Sequence, residues 1–266
     1  MKHLFIMLTL LVGIVSAEWL IETVDSSDGF TSIVLDSSNK PHISYVDYGY
    51  GIVKYAYFNG VSWQIEIADD VSGGFLVLCW SSISLDSLEN PHIAYTKSAG
   101  WTADLRYAQR ISSTWQTETV DFNGGYYTSI TLDSSNHPHI AYAGYYGMRH
   151  AYWGGSAWQL ETADELENYG FRFPSIVLDT SDYPHISYYD YYRCDLKFAR
   201  WDGLAWQVEI VDSVHAVGMY TSLDLDSTGN PHIAYYDYDN EDLKYAYVAV
   251  PAPVVVMVGH TYFFLA

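Results

Sequence analysis

Apolar and polar residues alternate along most of the chain with the two-residue period of a half-buried strand. Thr31-Ser32-Ile33-Val34-Leu35-Asp36 predicts a strand a. The stretch Asp36-Ser37-Ser38-Asn39-Lys40-Pro41 then collects residues that bond their own backbone or preset φ, and predicts a tight turn. His42 to Val46 predicts strand b, and Val53 to Tyr57 predicts strand c. An Asn59-Gly60 turn leads to strand d, Trp63 to Ile67. No segment carries a helical period.

The same pattern returns. Leu-Asp pairs end at Asp36, Asp86, Asp133, Asp179 and Asp226, and Pro-His pairs start five residues later at Pro41, Pro91, Pro138, Pro184 and Pro231. Successive repeats are 50, 47, 46 and 47 residues apart. Repeats of this length with four short antiparallel strands each read as propeller blades, so the predicted fold is an all-β, five-bladed β-propeller. The Trp-x-x-Glu of strand d occurs at Trp63, Trp115, Trp158 and Trp206. After the last strand c, Asp242 to Ala246, it is missing, and it stands instead at Trp19-Leu20-Ile21-Glu22. The expectation is a ring closed by the N-terminal strand, residues 18–25, completing the last blade. That arrangement would cover two sheet edges. The blades run over about 26–69, 70–121, 122–164, 165–212 and 213–250 within one domain, 18–250.

Lys2, the apolar run Leu4 to Val15 and the small residues Val15-Ser16-Ala17 read as a signal peptide over 1–17, so the mature chain is expected to be secreted or held at the cell surface without a membrane span. Residues 251–266, Pro-rich and then apolar, lie outside the repeat: packing on the propeller, a sorting tail and an interrupted reading frame all stay open. Cys79 and Cys194 fall in different, non-adjacent blades, which predicts two free, buried thiols rather than a disulfide scaffold.

Composition narrows the partners. The 266 residues hold 32 acidic and 12 basic side chains, a net charge of −20, which excludes a nucleic-acid partner that needs clustered Lys and Arg. Aromatic residues make up 17%, with 26 Tyr and 9 Trp. On one face of the disc, the a–b and c–d spacings are constant. On the other, the b–c and d–a loops vary in length, and variable loops on a constant scaffold are where function sits. The b–c loops carry Tyr48, Tyr50, Trp101, Tyr145, Tyr146, Asp190, Tyr191, Tyr192, Arg193, Asp237 and Tyr238, the candidate ligand-binding residues. The d–a loops add Phe75, Trp80, Tyr126, Tyr127, Tyr169, Phe171, Arg172 and His215. Flat aromatics beside carboxylates suit a sugar, whose apolar face stacks while its hydroxyls bond.

Other recurrent residues read as framework. His42, His92, His139, His185 and His232 are spread one per blade, so they are expected to bond a backbone carbonyl or the neighbouring blade rather than gather a metal. Lys54, Arg106, Arg149, Lys197 and Lys244 are expected to pair with Glu66, Glu118, Glu161, Glu209 and Glu22 or nearby carboxylates. Ser32 and its four equivalents are placed near the start of the innermost strand, where they would line the channel. No cofactor is called for. Asp237, Asp239, Glu241 and Asp242 are candidate oxygen ligands for Ca²⁺, set against a solvated acidic turn.

The elements Asn230-Pro231-His232-Ile233-Ala234-Tyr235-Tyr236-Asp237, Asp242-Leu243-Lys244-Tyr245-Ala246 and Trp-x-x-Glu resemble those of secreted microbial β-propellers grouped as sialidase-like (BNR-type), over residues 18 to 248. The chain lacks the Ser-x-Asp-x-Gly-x-Thr-Trp box, and its six Arg offer no triad for a carboxylate. Near-equal blades also resemble five-bladed lectin propellers, which implies one sugar site per blade. The reading is thus a non-enzymatic binding propeller for carbohydrate or another cell-surface ligand. The alternatives are a glycoside hydrolase with catalytic Asp47, Asp190 and Asp237, and a structural or protein-binding extracellular module.

Overall fold

The structure is a computed structural model that describes residues 19–27, 29–72, 80–99, 102–122, 124–166, 170–248, 254–258 and 261–265. Residues 1–17, Phe75, Cys79, Trp101 and Tyr169, on which several expectations fall, lie outside the described residues.

Every described element is a β-strand. Four units have four strands each, in meander order. The first is β1 (Thr31–Leu35), β2 (Pro41–Asp47), β3 (Ile52–Phe58) and β4 (Trp63–Asp70). The second is β5 (Ser81–Leu85), β6 (Pro91–Ala99), β7 (Thr102–Ile111) and β8 (Thr114–Asp121). The third is β9 (Gly124–Leu132), β10 (Pro138–Gly144), β11 (Gly147–Trp153) and β12 (Trp158–Glu165), joined to the second by one parallel bridge, Asp104 to Gly124. The fourth is β13 (Phe171–Leu178), β14 (Pro184–Asp190), β15 (Asp195–Trp201) and β16 (Trp206–Asp212). The fifth unit has three strands, β17 (Val217–Leu225), β18 (Pro231–Asp237) and β19 (Asp242–Tyr247).

The a–b turns form as their composition dictates. Asp36 Oδ1 accepts the N–H groups of Ser38 (2.9 Å) and Lys40 (2.7 Å), and Asn39 sits at φ 60°. Asp86, Asp133, Asp179 and Asp226 repeat the device, with Glu89, Asn136, Asp182 and Gly229 at the left-handed position.

The core lies between units rather than within them. One cluster joins Val53, Tyr55 and Ala68 of the first unit to Ile83, Ile93, Tyr95 and Ala108 of the second, and three similar clusters follow along the array. Innermost strands β1, β5, β9, β13 and β17 are successive neighbours. The recurrent serines staple them: Ser32 Oγ accepts the Ile83 N–H (3.3 Å), Ser82 that of Ile130 (3.2 Å), Ser129 that of Ile176 (3.2 Å) and Ser175 that of Leu223 (3.1 Å).

The ring is not closed, which corrects the sequence expectation. Residues 19–25 form no strand, among the described residues β19 has no fourth strand beside it, and Trp19 and Ile21 are each 95% exposed. Side chains alone fix this segment, and they fix it to the first unit: Glu22 accepts the Trp63 Nε1–H (2.9 Å), and Asp25 accepts from Tyr45 and Lys54 (2.9 Å each). Beyond the repeat, β20 (Val254–Val258) and β21 (Thr261–Leu265) pair antiparallel as a hairpin. Among the described residues no helix is long and apolar enough to cross a membrane.

Candidate functional site

Two sets of polar contacts make the scaffold rigid before any site is considered. In the b–c register Tyr45 faces Lys54, Tyr95 faces Arg106, Tyr142 faces Arg149, Tyr188 faces Lys197 and Tyr235 faces Lys244. Each pair converges on one strand-d aspartate of the preceding position: Asp25, Asp69, Asp121, Asp164 and Asp212. The bases were expected on the Trp-x-x-Glu glutamates, and these do something else. Glu22, Glu66 and Glu161 accept the indole N–H of Trp63, Trp115 and Trp206, one unit further on. The hydrogen bond from Lys54 holds the Asp25 carboxyl below its usual range.

The histidines bond within their own units, which replaces the expected carbonyl or interblade partners. His42 and His92 Nδ1 lie 2.5 Å from the hydroxyls of Tyr55 and Tyr107, His232 meets Tyr245 in the same way, and His139 meets His150 Nε2 at 3.0 Å. Each Nε2 faces the turn aspartate at 3.6–3.9 Å. His185 faces Phe198, and its buried Nδ1 has no hydrogen-bond partner. Burial pushes the pKa of His42, His92, His150 and His185 down, and that of His139 to about 4.

On the variable face the aromatic and acidic candidates separate. Tyr50, Tyr145, Tyr146, Tyr191, Tyr192 and Tyr238 are exposed, Tyr48 is half-buried, and the Arg193 side chain is exposed. The carboxylates turn inward. Asp47 accepts from Lys54 (2.8 Å). Asp190, fully buried, accepts the N–H groups of Tyr192 and Arg193 and the Arg193 guanidinium, each at 3.1 Å. Asp237 accepts the Asn240 backbone N–H (3.1 Å) and side-chain N–H (2.9 Å), with Lys244 at 3.6 Å. Asp190 and Asp237 fasten their b–c loops, each in its own unit, and Asp47 ties to strand c. Asp239 accepts the Ala216 N–H (3.1 Å), and no group of three or more His, Cys, Asp or Glu suited to a metal is gathered among the described residues. Burial, and next the Asp190 charge, raise the pKa of Asp195, whose cross-strand partner is Asp190. The Cys194 thiol is free and half-buried.

One arrangement escaped the reading of the sequence. Phe30, Trp80, Tyr127, Phe173 and Tyr220 each stand six residues before the strand-a aspartate. Their rings meet in series along the innermost strands, with centroids 4.8, 4.0, 4.7 and 4.3 Å apart. Tyr127, Phe173 and Tyr220 have φ of 54°, 53° and 53°, and each falls where the a–b register shifts. A bulge with a left-handed residue turns a side chain away from its regular direction, at a cost of order 1–3 kcal/mol for a non-glycine. Three such positions aim aromatic rings at the inner edge. Glycine lets this segment approach the preceding unit: at Gly218, φ +102°, an added Cβ would lie 2.7 Å from Leu196 Cα. Arg172 links this collar to the rim, its guanidinium 3.7 Å from the Tyr191 ring centroid. The constant six-residue offset was the signal in the sequence; the bulge that gives it meaning was not.

No family model and no curated protein matches the chain. Solved structures do resemble it at low identity. The chain matches AofleA from Arthrobotrys oligospora over 83% of its own length and 69% of the other, with a TM-score of 0.58 and 11% identity. The SapL1 lectin in complex with alpha methyl fucoside matches over 84% and 81%, with a TM-score of 0.55 and 14% identity. An alpha-L-arabinofuranosidase from Lactobacillus brevis matches over 81% and 85%, with a TM-score of 0.51 and 10% identity. At these identities the likeness is one of fold, an all-β, propeller-like array of antiparallel sheets shared by lectins and glycoside hydrolases alike.

Proposed function

We propose that the protein is a secreted, five-bladed propeller that binds carbohydrate, without cleaving it, on the face formed by its b–c and d–a loops. The collar carries this reading. Five aromatic rings recur at one repeat position, three of them held at bulges in a backbone conformation that costs free energy, and such strain collects at binding sites. Their faces match the apolar face of a pyranose, while the exposed tyrosines and Arg172 supply hydroxyl and N–H partners at the rim. The SapL1 neighbour, described in complex with alpha methyl fucoside, uses the same fold for a sugar. Cleavage would need two carboxylates facing a substrate at a set separation. Asp47 instead pairs with Lys54, and Asp190 and Asp237 hold their own loops.

The test is a glycan array probed with the wild-type chain, with and without Ca²⁺, beside Tyr220→Ala and Tyr191→Ala. Tyr220 and Tyr191 are 65% and 45% exposed, so both variants should fold. Binding that falls at least tenfold in Tyr220→Ala supports the collar, and loss confined to Tyr191→Ala moves the site to the rim. A blank array overturns carbohydrate recognition in favour of an extracellular protein ligand.

A further inference from the structure

The joint between the first and second units holds a cation that the chain supplies itself. Arg110, near the end of β7, reaches back across this joint to Glu66 on β4. Its Nε–H and Nη2–H donate to the two carboxylate oxygens, each at 2.8 Å. The guanidinium lies over the Tyr57 ring, 5.9 Å from its centroid. Trp115, cross-strand from Arg110, donates its indole N–H to the same carboxylate at 2.9 Å. A carboxylate that accepts two parallel bonds beside an aromatic face suits the planar fork of a guanidinium better than the point charge of an ammonium.

Between the third and fourth units the same frame recurs without its guanidinium. Glu161 faces His150 across β11 and β12 as Glu66 faces Tyr55 across β3 and β4, and Tyr152 stands where Tyr57 does. Trp206 again donates to the glutamate, at 3.1 Å. The position of Arg110 belongs to Trp201, which lies cross-strand from Trp206. An indole makes no salt bridge. Among the described residues no Lys or Arg comes within salt-bridge reach of Glu161 or Asp182, and the remaining contact of Glu161 is His150 Nδ1 at 3.4 Å. A cavity of about 200 Å³ is left, with Tyr152, Tyr183 and Trp201 in its walls beside the carboxylates of Glu161 and Asp182. Ser134 fixes Asp182 there, donating its backbone N–H (3.0 Å) and its hydroxyl (2.6 Å). His139 and His150 also line the cavity, and because burial pushes their pKa values down they add no positive charge at neutral pH.

We propose that this cavity binds an alkylguanidinium, stacked on its aromatic wall and donating to Glu161. Arg110 sets the ligand class, since it is what the corresponding joint takes when the chain provides the occupant. Asp182 adds a second negative charge at the a–b turn, where the first joint has Glu89. The net charge of −20 raises the local concentration of any cation around the chain. The walls come from the a–b turn and from the c and d strands, away from the b–c and d–a loops, so the inference is independent of sugar binding.

Calorimetric titration of the full chain with agmatine, N-acetyl-arginine amide and putrescine tests it. Agmatine is expected to bind saturably at one per chain, at least tenfold more tightly than putrescine, which carries an ammonium in place of the guanidinium. Glu161→Gln should weaken agmatine at least tenfold. Trp201→Arg, which gives this joint a guanidinium of its own, should abolish binding while the circular dichroism spectrum of the fold is kept. N-acetyl-arginine amide binding as tightly as agmatine assigns the site to an arginine side chain of a peptide, and binding confined to agmatine assigns it to a free small molecule. Saturable binding of neither guanidinium, equal binding of putrescine, or undiminished binding by folded Glu161→Gln overturns the proposal.

Discussion

Asp69→Ala is expected to lower the unfolding free energy by about 3–5 kcal/mol, the usual cost of leaving one partner of a buried pair alone. Asp69 Oδ2 accepts both the Tyr95 hydroxyl (2.5 Å) and the Arg106 guanidinium (3.1 Å). Tyr95 is fully buried, and the two charged side chains are only 16% and 17% exposed. Removing the carboxylate strands the hydroxyl of Tyr95, which packs in a cluster with Tyr55, Ile83 and Ile93, and takes the Asp69 charge from Arg106. Arg106 keeps its bonds to Thr119 Oγ1 (2.8 Å) and Thr117 Oγ1 (3.2 Å), but its buried Nε has no partner and its charge no longer faces the Asp69 carboxylate. Urea unfolding at pH 7.5 measures the loss. Tyr95→Phe in the Asp69→Ala background should cost less than Tyr95→Phe alone, because the hydroxyl is then already unpaired. A change below about 1 kcal/mol would show that water replaces the carboxylate and that the contact is not a determinant of stability.

Acid should weaken the fold well before its carboxylates titrate. His139 has a folded pKa of about 4 against 6.5 for the ordinary group, because burial disfavours the imidazolium and His150 adds to it. A depressed histidine leaves the unfolded chain holding more protons as pH falls. The stability it supports is therefore full above about pH 6.5 and is lost progressively down to about pH 4. From this residue alone the loss at pH 5 is about 2 kcal/mol. His42, His92, His150 and His185 are shifted in the same direction. The urea midpoint should fall steeply between pH 7 and 5. His150→Tyr restores the His–Tyr pair of the first, second and fifth units and should flatten that slope. A midpoint independent of pH over this range would mean the imidazoles stay solvated.

The repeat, the strands and the a–b turns were legible because they depend on local chemistry at fixed spacing: Asp36 bonds two and four residues ahead wherever it occurs. The ion pairs were legible only by type. Strand register placed Lys54 beside Tyr45, but which carboxylate meets them depends on how units lean together, and Asp25 rather than Glu22 lies within reach. Asp190 and Asp237 looked like site residues because loops are exposed on average. Their side chains turned inward to cap backbone N–H groups, an outcome set by loop conformation. The collar was hidden for a similar reason: at Tyr127 and Phe173 a positive φ reverses the side that alternation assigns.

The Tyr–base–Asp contact runs in one sense throughout, each unit receiving its carboxylate from the one before. The array is therefore polar, with a giving side and a receiving side on every member. The receiving Tyr and base and the giving Asp recur at the same repeat positions, so successive borders are built from the same three kinds of side chain.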